Sequence, residues 1–288
     1  MHLRILDIDS SLSAQAGLAT AARLDWRDLA QGLRLWGTSS ALAEARGRLP
    51  AFQPGELSFI GSGDFHHLAA LLIERAPMPL TLVHFDNHPD WVRLPPAWHC
   101  GSWINRVLER PQIAKVVTLG PCSDDLDWPQ LKGGNWPALM SGRLELYPWR
   151  HAPSRLLLRP AYRWTELSGL DDPAAFLDQL FAGLPTQDVW VSIDKDVLAP
   201  QQAATNWDQG GMSLEFLESA LRLLAGRRRI VGADVCGDYS PARFVSPWKR
   251  LSARMDHPTA PQDDPALNDA ANRRLIALFD QLLTAKAA

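Results

Sequence analysis

Short β-branched or apolar runs alternate along this chain with longer amphipathic stretches. The runs are RILDID at 4–9, LSFIG at 57–61, TLVHFD at 81–86, KVVTLG at 115–120, VWVSID at 189–194 and IVGADV at 230–235. Helix-like patterns cover 66–76, 173–183, 213–225 and a last segment over about 265–285. Strand and helix patterns in alternation predict an α/β fold, a three-layer αβα sandwich with a mainly parallel central sheet. No internal repeat is visible. The Pro-rich stretch 240–265 reads as an irregular loop on the active-site side. No composition shift marks a second unit there, so the chain reads as one domain over 1–288.

Where polar residues interrupt this pattern matters more than the pattern itself. Asp86 and Asp194 each end an apolar run, His66 follows Gly61 after a third, and Asp238 follows a fourth. In open α/β sheets ligands sit beyond the carboxyl ends of the strands, so these groups are expected to converge at one edge. The strings HFDNHPD at 84–90 and SIDKD at 192–196 read as strand-like. Alternate side chains of a strand share a face, which aims Asp86, His88 and Asp90 at one spot and Asp194 with Asp196 at another. A lone Asp at a strand end is ordinarily a cap or turn residue. Capping accounts for one acid per strand end, not for three in register.

With His66, this set offers only oxygen and nitrogen donors. That suits Mn²⁺ and leaves Zn²⁺, Fe²⁺, Co²⁺ and Ni²⁺ open. Four carboxylates balance two divalent cations. Without metal, the cluster has to take up protons to relieve like-charge repulsion.

Composition narrows the remaining classes. A chain of 288 residues that is 46% hydrophobic and 21% charged can bury a full core and reads as soluble and globular. Its formal net charge of -3, with basic residues scattered, leaves no footprint for nucleic acid or an anionic membrane. Residues 1–20 hold Asp7 and Asp9 and no long apolar stretch, unlike a secretory signal, and no run approaches bilayer length. Cys100, Cys122 and Cys236 show no C-x-x-C spacing, which fits a reducing compartment and excludes a thiolate zinc knuckle. The cytoplasm is the expected location.

Four motifs resemble those of the arginase, agmatinase and formiminoglutamase superfamily, the ureohydrolases. DNHPD matches its D-x-H-x-D motif, and SIDKDVLAP is similar to its S-x-D-x-D-x-x-D-P motif. SGDFHHL resembles its G-G-D-H-S segment if Phe65 is one inserted residue, and NWDQGGMSLEFLE at 206–218 is similar to its G-G-(L/M)-(S/T) turn and following helix. The resemblance covers about residues 57–241, in order. It implies one Mn²⁺ held by His66, Asp86, Asp90 and Asp194, and a second held by His88, Asp86, Asp194 and Asp196. It further implies that a bridging hydroxide attacks the planar carbon of a guanidino or amidino small molecule, with Asp90 relaying the proton to the leaving amine. His99, in AWHCGSW, resembles a histidine that assists proton transfer or orients substrate, and a neutral imidazole near pH 7 suits that shuttle. Multimers are common in the superfamily, so a homo-oligomer is also compatible with it.

The chain departs from the superfamily pattern in places. Two inserted residues instead of one would make His67 the ligand in place of His66. Ala199 stands where the last acid of S-x-D-x-D-x-x-D-P is expected. Lys195 lies between two ligands and is expected to point away from them, toward another partner for its charge. CGDYSP replaces the V-E-V-(S/N)-P stretch, aligning Asp238 with the guanidinium-binding glutamate at the cost of one methylene. Tyr239 sustains a rival reading, a deacetylase-like amide hydrolase with one zinc, and a non-catalytic metal-binding member of the fold is a third.

Other candidates have plainer readings. Trp91, Trp98 and Trp103 are expected in core or rim packing, His84 as a buried residue behind the ligands, Cys100 and Cys236 as small buried thiols. The arginines at 150, 155, 159 and 163 read as a solvated face. Specificity is expected in loops 91–105, 121–142, 200–211 and 238–264.

Overall fold

A computed structural model of the protein describes residues 1–77, 79–257 and 263–284. Its strands are β1 (His2–Asp7), β2 (Ala22–Asp25), β3 (Glu56–Gly61), β4 (Leu80–Phe85), β5 (Ile113–Leu119), β6 (Leu144–Tyr147), β7 (Ser154–Leu156), β8 (Arg159–Tyr162), β9 (Asp188–Asp194) and β10 (Arg229–Cys236). Eight of them form one sheet in the order β2-β1-β3-β10-β9-β4-β5-β6. Every neighbouring pair in it is parallel. β7 and β8 make a separate antiparallel hairpin.

All six strands predicted from the apolar runs are present, with ends shifted by a few residues. β2 and β6 were not foreseen. Each is four residues long and lies at a sheet edge, where half-exposed positions blunt the apolar signal.

The helices follow their caps. Asp172 accepts from the Ala175 N–H at 2.9 Å at the start of Pro173–Ala182, and Ser213 caps Leu214–Arg227. The last helix spans Pro265–Thr284. The helix expected over 66–76 is instead a 3₁₀ segment, Gly63–Leu68, running into a short α-helix, Ala69–Ile73. The irregular loop expected over 240–265 is corrected by a helix at Pro247–Asp256. Ser246 caps it, and Pro247 occupies the first turn, where a missing N–H costs nothing. Residues 258–262 of that stretch lie outside the described residues.

Strand alternation sorts side chains onto two packed faces. Val83 and Phe85 of β4, with Val191 and Ile193 of β9, join a core that includes Leu217, Leu221 and Phe279. Leu82 and Trp190 point the other way, into a core with Leu68, Trp103 and Val107. His84, Ser192 and Asp234 are buried at positions of this second parity. They form a polar layer near the carboxyl ends of three adjacent strands. Between β3 and β4 the chain skips the two places later filled by β10 and β9. Such a reversal of winding opens a crevice at the strand ends. Among the described residues no helix is long and apolar enough to cross a membrane.

Candidate metal centre

The acids converge through turns, which corrects the expectation of two strand-borne rows. β4 stops at Phe85 and β9 at Asp194, so Asp86, His88, Asp90 and Asp196 all lie beyond their strands. The His88 N–H donates to Asp86 Oδ1 at 2.6 Å, and the Asp196 N–H donates to Asp194 Oδ1 at 3.0 Å. Each strand is thus ended by an Asx turn that folds residue i+2 back beside residue i. The pairing read as alternation survives because the turn brings the same two residues together. Asp90 completes its loop at a φ of 47°. Gly63 is required at the opposite wall, because a Cβ there would stand 2.6 Å from Asp194 Oδ2.

Two groups of candidate ligands share Asp86. His66 Nδ1 lies 3.1 Å from Asp86 Oδ2, 3.3 Å from Asp90 Oδ2 and 3.5 Å from Asp194 Oδ2. His88 Nδ1 lies 2.9 Å from Asp196 Oδ2 and 3.5 Å from the other Asp86 oxygen, Oδ1. Donor atoms of His66, Asp86 and Asp90 fall within 4.8 Å of one another, as do those of Asp86, His88 and Asp196. The structure therefore brings together all six residues singled out as ligands. It also separates His66 from His67. His67 is fully buried with neither ring nitrogen hydrogen-bonded, and burial, then His99, pushes its pKa down to about 3.

Outer partners set the tautomer of each ligand histidine. Trp190 Nε1 and Ser192 Oγ donate to Asp234 at 2.6 and 2.7 Å. The single Ser192 proton is thereby used, so His66 Nε2, 2.9 Å from that hydroxyl, is the donor. His66 Nδ1 is left facing the carboxylates, where it carries a proton in the metal-free chain and would offer its lone pair to a cation once that proton leaves. On the other side His88 Nε2 donates to Asp208 Oδ1 at 2.9 Å, aiming its Nδ1 at Asp196 and Asp86. Asn87 Nδ2 holds the second Asp208 oxygen at 3.0 Å. Trp103 Nε1 donates to Asp90 Oδ2 at 2.5 Å. His84 donates from Nε2 to Asp86 Oδ2 at 2.9 Å and meets the Thr118 hydroxyl through Nδ1 at 3.1 Å, so it lies behind the ligands as expected.

Sequence reading missed Asp208, Ser192, Asp234 and Trp190. A buried acid within the apolar run IVGADV was the one signal pointing to Asp234.

The electrostatics fit a cation site. Burial, then Asp86, pushes the Asp90 carboxyl up to about 8. Burial, then Asp194 and Asp86, raises Asp196 well above the usual carboxylate range, and burial with Asp86 raises Asp194. Burial opposes ionisation of Asp86, but His84, His66 and His88 outweigh it and hold that carboxyl well below its ordinary value. Burial likewise opposes protonation of His66 and His88, yet their carboxylate neighbours keep both pKa values well above the usual one. Protons hold the metal-free cluster together where cations would.

This sets a pH dependence. A carboxyl whose pKa is raised on folding favours the folded metal-free chain at low pH, and that contribution is lost as pH rises through the folded value. For Asp90 the window runs from 3.8 to about 8. Metal binding needs the deprotonated groups and so strengthens over the same range. The gap in Tm between Mn²⁺-loaded and chelated protein is expected to widen from pH 6 to pH 8.5 in scanning fluorimetry. A constant or narrowing gap would count against metal at this cluster.

The remaining sequence candidates divide. His99 starts the turn Cys100–Ser102 and lines an outer cavity, not the inner one that holds the ligands. Burial pushes its pKa down to about 4, so it is neutral at pH 7 as expected but a poor proton shuttle there. Asp238 is corrected as a substrate contact. It is fully buried, with Lys195 Nζ 2.8 Å and Gln15 Nε2 2.6 Å from its Oδ1, and lines neither cavity. Lys195 is thus turned away from the ligands, as expected, and Asp238 with Asn272 is its partner. Tyr239 also lies outside both linings. Trp91 and Trp103 are core residues and Trp98 packs against that core. Cys236 is buried and donates its thiol to Asp194 Oδ2 at 3.1 Å. The arginines at 150, 155, 159 and 163 are all exposed.

The inner cavity shares His88, Cys100, Gly101, Asp125 and Trp207 with an outer one of about 390 Å³. That volume suits a small molecule.

Comparison with known proteins places this architecture. No protein-family model matches the chain. A Thermotoga maritima protein of unassigned function is 30% identical over 248 residues, covering 86% of this chain and 83% of its own. Arginase from Bacillus cereus superposes with a TM-score of 0.61 at 15% identity, covering 99% of this chain and 98% of the arginase. Proclavaminate amidino hydrolase from Streptomyces clavuligerus gives 0.57 at 18% identity, over 95% and 78% of the two chains. Formimidoylglutamase from Bacillus subtilis gives 0.54 at 16% identity, over 85% and 67%. The chain therefore has the fold of the arginase, agmatinase and formiminoglutamase superfamily, as a divergent form of it, and belongs to one family with the Thermotoga maritima protein.

Proposed function

We propose that this protein is a metal-dependent hydrolase that cleaves a C–N bond of a guanidino or amidino small molecule at a two-metal centre. The observation that carries the reading is the pair of imidazole Nδ1 atoms, each fixed by its own outer partner, on either side of a shared Asp86. His66, Asp86, Asp90 and Asp194 would hold one cation, and His88, Asp86, Asp194 and Asp196 the other. The donor set of oxygen and nitrogen favours Mn²⁺. When bound, the cations supply Lewis acidity that lowers the pKa of water and stabilises developing negative charge.

The chain's own groups do the rest. Asp90 Oδ2 is tied to Trp103, while its Oδ1 faces Gly101 in the wall of the inner cavity. That oxygen is placed to take a proton from the attacking water and pass it to the leaving amine. Trp207, anchored through Nε1 to Asp64 at 3.1 Å, gives a flat wall against which a planar amidine can lie.

Turnover is the test. Mn²⁺-loaded protein is expected to release urea or ammonia from members of a guanidino and amidino panel. Asp90→Asn should lower kcat about 10²–10⁴-fold. A chain loaded with cations that hydrolyses no compound of this class would overturn the reading.

A further inference from the structure

A thiol stands in the same row as two of the carboxylates. In the sheet, Ser192 of β9 is in register with His84 of β4 on one side and Asp234 of β10 on the other, and Asp194 is in register with Cys236. Alternate residues of a strand share a face, so the row His84, Ser192, Asp234 is followed toward the carboxyl ends by a row of Asp86, Asp194 and Cys236. The first row supports the ligands from behind. The second brings a carboxylate from the end of β4, a carboxylate from β9 and a sulfur from β10.

The sulfur is within reach of the same cation. Cys236 Sγ lies 3.1 Å from Asp194 Oδ2, the oxygen that also faces His66 Nδ1 at 3.5 Å. Donor atoms of His66, Asp194 and Cys236 fall within 4.8 Å of one another. Zn²⁺ holds sulfur at about 2.3 Å and carboxylate oxygen at about 2.1 Å, which sets two such donors about 3.1–3.6 Å apart for angles between a right angle and the tetrahedral one. All three residues are buried, and Cys236 stands outside the lining of the inner cavity, so substrate does not meet its sulfur. Gly237 follows at a φ of 91°, and a Cβ there would stand 2.4 Å from Asp194 Oδ1, so the chain is kept bare where Cys236 and Asp194 approach. Among the described residues no sulfur joins the group of Asp86, His88 and Asp196.

Resting on the reading of this cluster as a two-metal centre, we propose that Cys236 is a ligand of the cation at His66 and that the two metal positions therefore differ in kind. The thiol gives its proton to solvent as the sulfur–cation bond forms. Thiolate favours Zn²⁺ or Co²⁺ over Mn²⁺ at the His66 position, while the His88 position keeps oxygen and nitrogen donors alone. Mn²⁺ supplied by itself fills both, and the difference emerges in competition.

Cobalt reports the bond directly, apart from turnover. Metal-free protein titrated with Co²⁺ is expected to develop an intense near-ultraviolet thiolate-to-cobalt absorption that saturates with about one of its two cations. Cys236→Ser should remove the band while saturating Co²⁺ still fills both positions by elemental analysis. The double variant Cys100→Ala/Cys122→Ala leaves Cys236 as the one thiol of the three and should keep the band, which assigns the sulfur even if the serine variant does not fold. In competition, Zn²⁺ should displace one Mn²⁺ about tenfold or more readily from the wild type than from Cys236→Ser. Two bound Co²⁺ without the band, as expected of a thiol that only donates a hydrogen bond to Asp194, would overturn the thiolate ligand and leave the two-metal centre standing. A band that survives Cys236→Ser would do the same. Protein that binds no Co²⁺ at all would overturn both.

Discussion

Asp86→Asn is expected to strip the centre of both cations. Its two oxygens face different histidines, Oδ2 toward His66 at 3.1 Å and Oδ1 toward His88 at 3.5 Å, so a single amide weakens both positions. The substitution is nearly isosteric, and it also removes the negative charge that His84 is placed to support. Elemental analysis after Mn²⁺ loading should fall from about two cations per chain toward none, and turnover should fall with it. A variant that kept one tightly bound cation would show that Asp86 serves one position only. His84 and Asp194 would then need to carry the other.

Lys195→Met is expected to destabilise the fold by about 3–5 kcal/mol, the usual cost of removing one partner of a buried ion pair. Lys195 is fully buried and its Nζ meets Asp238 Oδ1 at 2.8 Å and Asn272 Oδ1 at 3.0 Å. Without the ammonium, Asp238 keeps only amide donors, from Gln15 and Asn272, and its Oδ2 is unpaired already. The double variant Lys195→Met/Asp238→Leu should recover most of the loss, since an apolar pair of similar volume often replaces a buried ion pair without penalty. Denaturant unfolding measures both. A loss below about 1 kcal/mol for the single variant would mean that water reaches the pair. Asp238→Asn should likewise act on stability and leave guanidine binding by folded protein unchanged.

These two residues also show how far the sequence could be read. Asp86, His88 and Asp90 were legible as a cluster because an Asx turn preserves the i, i+2 neighbourhood that a strand would have produced. The same residues converge in the structure, but through a turn and not along a strand. Ser192 and Asp234 were not legible, because their contact depends on β9 and β10 being sheet neighbours, a fact of topology that no local pattern encodes. Asp208 was hidden for the opposite reason. A single acid in a glycine-containing loop looks like any turn residue until His88 is seen to donate to it.

Asp238 was misplaced by aligning it through Pro241, although Lys195, buried between two ligands, already required a counter-charge. The helix Pro247–Asp256 was obscured because Ser-Pro reads equally as a turn and as a cap followed by the first helical position. The parallel core strands were the most legible part. Buried on both faces, they appear as nearly continuous apolar runs, whereas the edge strands β2 and β6 do not.

The most direct measurement is anomalous diffraction at the manganese edge from crystals of the Mn²⁺-loaded protein. Two peaks are expected per chain, one against His66 Nδ1 and one against His88 Nδ1, with Asp86 between them. A single peak, or none within this cluster, would contradict the two-metal centre and the hydrolysis built on it.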